Sequence, residues 1–261
     1  MRNVGVELQL NTVNVQTKDF TWETGFTFSK NHNELIELYG GKKDDVTNKW
    51  FIGEPIDVNY DYVFDGIWQT DEAEQAAVYG QKPGQVKVRD IDGNKVIDAD
   101  DKQILGQRSP KWIGSITSTF RYKDFDLSVY LYTQQGAQVQ DAFMSSFMTF
   151  EGNYNQLDVD YWTENNPSNE FLQPGNKGKY YDTMRYIDVS FVRVGSITLG
   201  WNIPKEWTKK IGIKNARLYF TTNNPFTFSS YKGFDPEWAT QNTWGTVTGY
   251  TTYLIGTKIE F

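Results

Sequence analysis

Alternation with a period of two dominates this sequence and limits its folds more than any other feature. In FTWETGFTFS, Phe20, Trp22, Thr24, Phe26 and Phe28 share one side, while Thr21, Glu23, Gly25, Thr27 and Ser29 share the other. Successive side chains of an extended backbone point to opposite faces, so the segment reads as a strand with one apolar face and one small, polar face. The same pattern returns in Val4, Val6, Leu8 and Leu10, in Phe125, Leu127, Val129 and Leu131, and in Ile197, Leu199, Trp201 and Ile203. Helical periodicity is almost absent. About seven strands are expected, near 3–15, 20–31, 112–123, 125–138, 187–203, 215–227 and 248–261.

The connections between them alternate strictly in length. QTKD and YKD are tight turns and PKEWTKKIGIK is intermediate, whereas 32–111, 139–186 and 228–247 are long, polar and rich in Gly, Asn and Asp. An up-and-down antiparallel sheet then carries every long loop at one end and every short turn at the other. That is the pattern of an outer-membrane β-barrel, with short periplasmic turns and long extracellular loops. Aromatic residues near strand ends (Phe20, Trp22, Trp112, Phe120, Tyr122, Trp201, Phe261) are placed to form interfacial girdles. A soluble, calcium-stabilised carbohydrate-binding β-sandwich is the alternative, since its strands also alternate. Strands of a dozen residues are long for a sandwich. Seven strands with a greasy outer face cannot close alone without leaving lipid-exposed edges, so the chain reads as an arc of a larger cylinder.

Composition removes most other chemistry. No cysteine is present, which excludes disulfides, thiolate nucleophiles and cysteine-bound metal. His32 is the single histidine, so no zinc pair of HExxH type can form. With 33 acidic against 26 basic residues and a net charge of -7, nucleic acid is not an expected partner. No apolar run is long enough for a transmembrane helix, and the N-terminus lacks the apolar stretch of a signal peptide. No two carboxylates are marked out as a glycosidase pair, and the chain is not expected to be an enzyme.

The most specific motif is RDIDGNKVIDADD, residues 89–101. Counted as a calcium loop, Asp90, Asp92, Asn94, Asp98 and Asp101 fall at ligand positions, Val96 offers its carbonyl, and Ile97 supplies the apolar position. Two departures stand out. Lys95 occupies the position where the turn favours glycine, and Asp101 replaces the usual bidentate glutamate. The segment reads either as a structural Ca2+ loop or as a solvated acidic turn in a surface loop, and in both cases it braces the loop and catalyses nothing.

The run GQKPGQVKVRDIDGNKVIDADDKQILGQRSPKW is followed by FRYKDFDLSVYLY, YWTENNPSN, SFVRVGSITLGWNIP and ARLYFTTNNPFTFSSYKGFDPE, and then by a terminal aromatic strand. In that order these segments resemble the C-terminal part of the SusC/RagA family of TonB-dependent outer-membrane transporters from Bacteroidetes. The resemblance covers essentially the whole chain. It implies a barrel of 22-strand type with a plugged lumen, importing oligosaccharides, glycans or peptides. It also implies a SusD-like surface lipoprotein as partner and coupling to TonB through an N-terminal plug and TonB box, which this sequence does not contain. Residues 1–261 are thus expected to be a C-terminal barrel portion in the cell outer membrane.

Two further sets of residues are candidates for function. Tyr253, Ile255, Ile259 and Phe261 alternate up to a terminal aromatic, as in the C-terminal signal read by the barrel-assembly machinery. Trp50, Trp68, Trp162, Trp238 and Trp244 lie in the long connections, where flat rings could meet ligand or lipoprotein.

Overall fold

The computed structural model describes residues 1–141, 147–148, 150, 155–176, 178–239 and 249–261. Seven long strands form one antiparallel sheet: β1 (Arg2–Gln16), β2 (Phe20–Glu34), β7 (Trp112–Tyr122), β8 (Phe125–Gln135), β11 (Phe191–Asn202), β12 (Asn215–Ser229) and β13 (Thr252–Glu260). They lie side by side in chain order. No second sheet packs on them among the described residues, so the outward rings do not meet each other across a sandwich. All seven expected strands are present. The fourth and fifth expected strands each divide, leaving β9 (Gln138–Gln140) and β10 (Tyr186–Asp188) paired apart from the main sheet.

The register sorts residues into rows. One outward row runs Phe26, Ile116, Leu131, Val194, Phe226, and another runs Trp22, Phe120, Leu127, Leu199, Phe220, Ile255. Between them, inward rows run Glu23, Thr119, Ser128, Thr198, Thr221 and Gly25, Thr117, Tyr130, Ser196, Asn223. Soluble monomers tolerate apolar patches of about 300–600 Å², and continuous rows across five and six strands fit lipid instead. Near the short turns Trp22 stacks on Phe120 and Phe125 on Trp201. Phe28 meets Trp112 near the long loops, giving the two girdles.

A bulge interrupts β11 between Val194 and Ser196. A Cβ on Gly195 would stand 2.6 Å from the Tyr130 ring, so only glycine lets that ring lie against the wall. The facing part of β12 absorbs Asn224, at φ 50, and Pro225; a proline is tolerated there because the ladder is already interrupted. Gly200 likewise leaves room for Arg217 to reach Asp126 at 2.5 Å.

The long connections are folded, which corrects the expectation of plain polar loops. β3 (Val58–Tyr62) pairs with β6 (Lys102–Gln107), and β4 (Phe64–Ile67) with β5 (Val86–Val88); α1 (Ala73–Val78) lies between β4 and β5 in sequence. Ile67, Val86 and Val88 from the first connection and Trp162 and Leu172 from the second form one core. Met148 and Phe171 form another, and Ala137, Val139 and Val189 a third. Alternation could not reveal these cores, because their members come from separate, individually polar segments.

Candidate functional site

The inner wall and the long-loop end make up the candidate site. Inward side chains of four neighbouring strands, including Glu7, Gln9, Thr27, Ser115, Tyr130 and Tyr132, line a groove of about 510 Å³. Cross-strand pairs brace this surface: Arg121 donates to Glu23 at 2.7 Å, and Thr27 and Ser115 share a hydrogen bond. Hydroxyls, amides and rings in this arrangement can meet a polar solute through hydrogen bonds and ring contacts.

At the top of the groove lies a buried charge cluster. The Arg193 guanidinium, 3% exposed, donates to Asp235 at 2.6 Å, to Glu237 at 2.7 Å and to Thr227 Oγ1 at 2.9 Å. The Tyr132 hydroxyl donates to Glu237 at 2.7 Å. Asp235 also accepts from the backbone N–H of Glu237 at the start of the short helix α3 (Pro236–Ala239). Two wall strands thereby hold the final long connection over the lumen. The sequence reading missed this cluster for a geometric reason. Extending the outward positions Ile197, Leu199 and Trp201 backwards would put Arg193 outside; the Gly195 bulge reverses the phase and turns it in.

The acidic loop is closed by hydrogen bonds from its own backbone. Asp90 accepts from the N–H of Gly93 at 2.7 Å and of Lys95 at 2.9 Å, and Lys95 takes φ 67 in place of the expected glycine. Burial pushes the Asp90 carboxyl up, but those N–H donors and the Tyr79 hydroxyl outweigh it and hold the group below its ordinary value. Asp101 is fully buried, accepting from Ile91 and Asp98. Asn94 Oδ1 accepts from Val96 and Asp98 Oδ1 from Asp100. Ile97 packs against the first loop core. Carboxylate oxygens of Asp90, Asp92 and Asp101 lie within 4.8 Å of one another, and hard oxygen donors at that spacing are of the kind a divalent cation such as calcium takes.

The tryptophans separate by burial. Trp68, 4% exposed, donates from Nε1 to Gln81 and stacks on Tyr79 within its own connection, whereas Trp162, 2% exposed, donates to Gln69 of the other connection and joins the core with Ile67 and Val86. Trp50 and Trp238 are each more than a third exposed. Trp244 lies outside the described residues. At the far edge, β13 pairs with β12, Tyr253 stacks on Phe220, and Ile255, Ile259 and Phe261 are exposed.

With this geometry in place, comparison with known proteins is informative. TonB-dependent receptor P3 of Formosa agariphila is 30% identical over 254 positions, covering 91% of this chain and 25% of that protein. TonB-dependent receptor SusC of Bacteroides thetaiotaomicron is 29% identical over 270 positions, covering 100% of this chain and 26% of its own length. In a solved structure of the RagAB peptide transporter, the likeness has a TM-score of 0.78 at 22% identity and covers 99% of this chain and 29% of that one; it is a likeness of fold. The chain spans about a quarter of the length of the curated relatives it matches. No family model matches. By sequence and fold together, the chain is a partial SusC-like TonB-dependent receptor, a segment of outer-membrane β-barrel wall with its long loops.

Proposed function

We propose that this chain forms the C-terminal wall of a TonB-dependent importer that carries an oligosaccharide, glycan or peptide across the outer membrane, as a transporter and not as an enzyme. One observation carries the reading: every long connection leaves one end of a wall whose inner rows are polar and whose outer rows are apolar. On this reading the loops shape the extracellular mouth, a SusD-like lipoprotein closes over it, and exposed Trp50 and Trp238 are available to either partner or ligand. Energy coupling to TonB belongs to the N-terminal plug of such a transporter.

Two site roles follow. Asp90, Asp92, Asn94, Asp98 and Asp101, with the Val96 carbonyl, would hold Ca2+, which would stiffen the loop beside the core that Ile97 enters. The β13 edge with Phe261 would serve the barrel-assembly machinery as its recognition strand.

The test is a chimera in which this chain replaces the matching quarter of a SusC-type transporter. Growth on oligosaccharide or on peptide as sole source, with recovery of the SusD-like partner on purification, is the expected outcome. A chimera that reaches the outer membrane but supports neither growth nor partner recovery overturns the reading.

A further inference from the structure

The connection between β11 and β12 sits at the short-turn end of the wall, the periplasmic end in barrels of this kind. It consists of the short helix α2 (Lys205–Thr208), a further turn over Lys209–Ile211, and Gly212 at φ 76. Thr208 is buried and fixes the turn, while Trp207 is 57% and Ile211 72% exposed. Trp207 is not adrift. Its ring lies edge-on to Trp201 at 6.0 Å, and Trp201 in turn stacks on Phe125 in the outward, lipid-facing row. The apolar belt therefore continues past the last strand residue onto this turn.

Charge distinguishes the turn from the rest of the molecule. In a chain of net charge -7, residues 204–214 hold Lys205, Lys209, Lys210 and Lys214 against the single acid Glu206. All four lysines are exposed, and none enters an ion pair among the described residues. The other two short turns repeat the combination in small: Lys18 precedes Phe20, and the Lys123 ammonium lies 5.4 Å from the centre of the Tyr122 ring. Indole rings settle at the boundary between hydrocarbon and water, and lysine stems lie along apolar surface while the ammonium reaches outward. At the rim of a lipid belt, the groups within reach are lipid phosphates.

We infer that the 203–214 turn is an interfacial anchor, with Trp207 and Ile211 entering the periplasmic leaflet and Lys205, Lys209, Lys210 and Lys214 taking the headgroups of anionic phospholipid. Continuity with the lipid-facing row and opposite charge commit the surface to lipid. Basic residues beside an anionic surface each add to attraction that is screened by salt.

The experiment measures partition of the full chain onto vesicles of pure phosphatidylcholine and onto vesicles with phosphatidylglycerol at about 30%, an anionic fraction chosen to give a strong surface potential. The unaltered chain should prefer the anionic vesicles at least tenfold at low salt and lose most of that preference in about 0.5 M salt, where the Debye length falls from about 30 Å at about 0.01 M to about 4 Å. The variant with Lys205, Lys209, Lys210 and Lys214 all changed to Gln should lose the preference while binding phosphatidylcholine as before. Trp207→Ala should weaken binding to both vesicles. The control Lys42→Gln/Lys43→Gln, at the opposite end, should change neither. All these side chains are exposed, and circular dichroism of each variant checks that the sheet is retained. The inference is overturned if the four-lysine variant keeps the preference, if the Lys42/Lys43 control loses it equally, or if millimolar inorganic phosphate abolishes it at constant ionic strength.

Discussion

The wall carries the clearest apolar patterning in the chain, yet among the described residues only Phe191 and Val194 of its hydrophobic side chains are buried. The loop layer, built from segments rich in Gly, Asn and Asp, holds the other buried hydrophobics, from Leu35 through Trp162 to Val189. The difference teaches what burial requires. An apolar row is hidden only when another surface covers it, and the wall's cover is lipid, whereas the loop segments cover one another. The wall is thus a single layer tuned to its solvent, and the loop layer is a small water-soluble body mounted on it.

The largest effect should appear where the two regions join. Arg193→Ala leaves Asp235 buried without its cation, and breaking such a pair costs about 3–5 kcal/mol. Denaturation monitored on the loops should show that loss, with strand content kept; equal loss in both regions would mean that they fold as one unit. Next, Ile197→Arg, on the outward face near mid-strand, should cost about 2–4 kcal/mol in a bilayer and leave the loop core unchanged. A smaller penalty than at an inward position such as Thr198 would remove the lipid assignment of that face. Trp162→Phe keeps an aromatic ring but removes the indole N–H and strands the Gln69 acceptor, a loss of about 1–3 kcal/mol confined to the loops. Near-ultraviolet dichroism against strand content in a thermal scan distinguishes that outcome from a global one.

The mildest probe is alkaline pH. Burial and the neighbouring Asp61 hold the Tyr186 hydroxyl well above its ordinary value of 10.0, and burial with Asp141 does the same for Tyr231. A raised value means the folded state keeps its proton more tightly. Stability is therefore full below pH 10.0 and declines as pH climbs past it toward the folded value. Tyr186 ties β10 to Asp61 of β3 at 3.0 Å, so loop-to-loop contact should loosen first above pH 10.0, with the wall unaffected. Simultaneous loss of both signals would erase the distinction.

What the sequence disclosed follows the same division. Strand positions, the outward rows from Phe20 to Phe28 and the order of short and long connections are all local, period-two properties, and they appear in the structure as read. The internal hydrogen bonds of the acidic loop join residues within one dozen positions, so its local turn is of the same short-range kind. The loop cores were not, since Ile67 and Leu172 meet across about a hundred residues with no shared pattern. Nor was the burial of Trp162, which depends on that meeting.

The bulge at Gly195 has a consequence for how such a wall can change by insertion and deletion. β12 carries two extra residues, Asn224 and Pro225, and an even number leaves every later side chain on its original face. β11 carries one, and an odd number exchanges inside for outside. Removing Gly195 would therefore swap Arg193 with Val192 and Val194, setting a guanidinium among acyl chains and two valines over the channel. At this point in the chain, parity matters more than residue type.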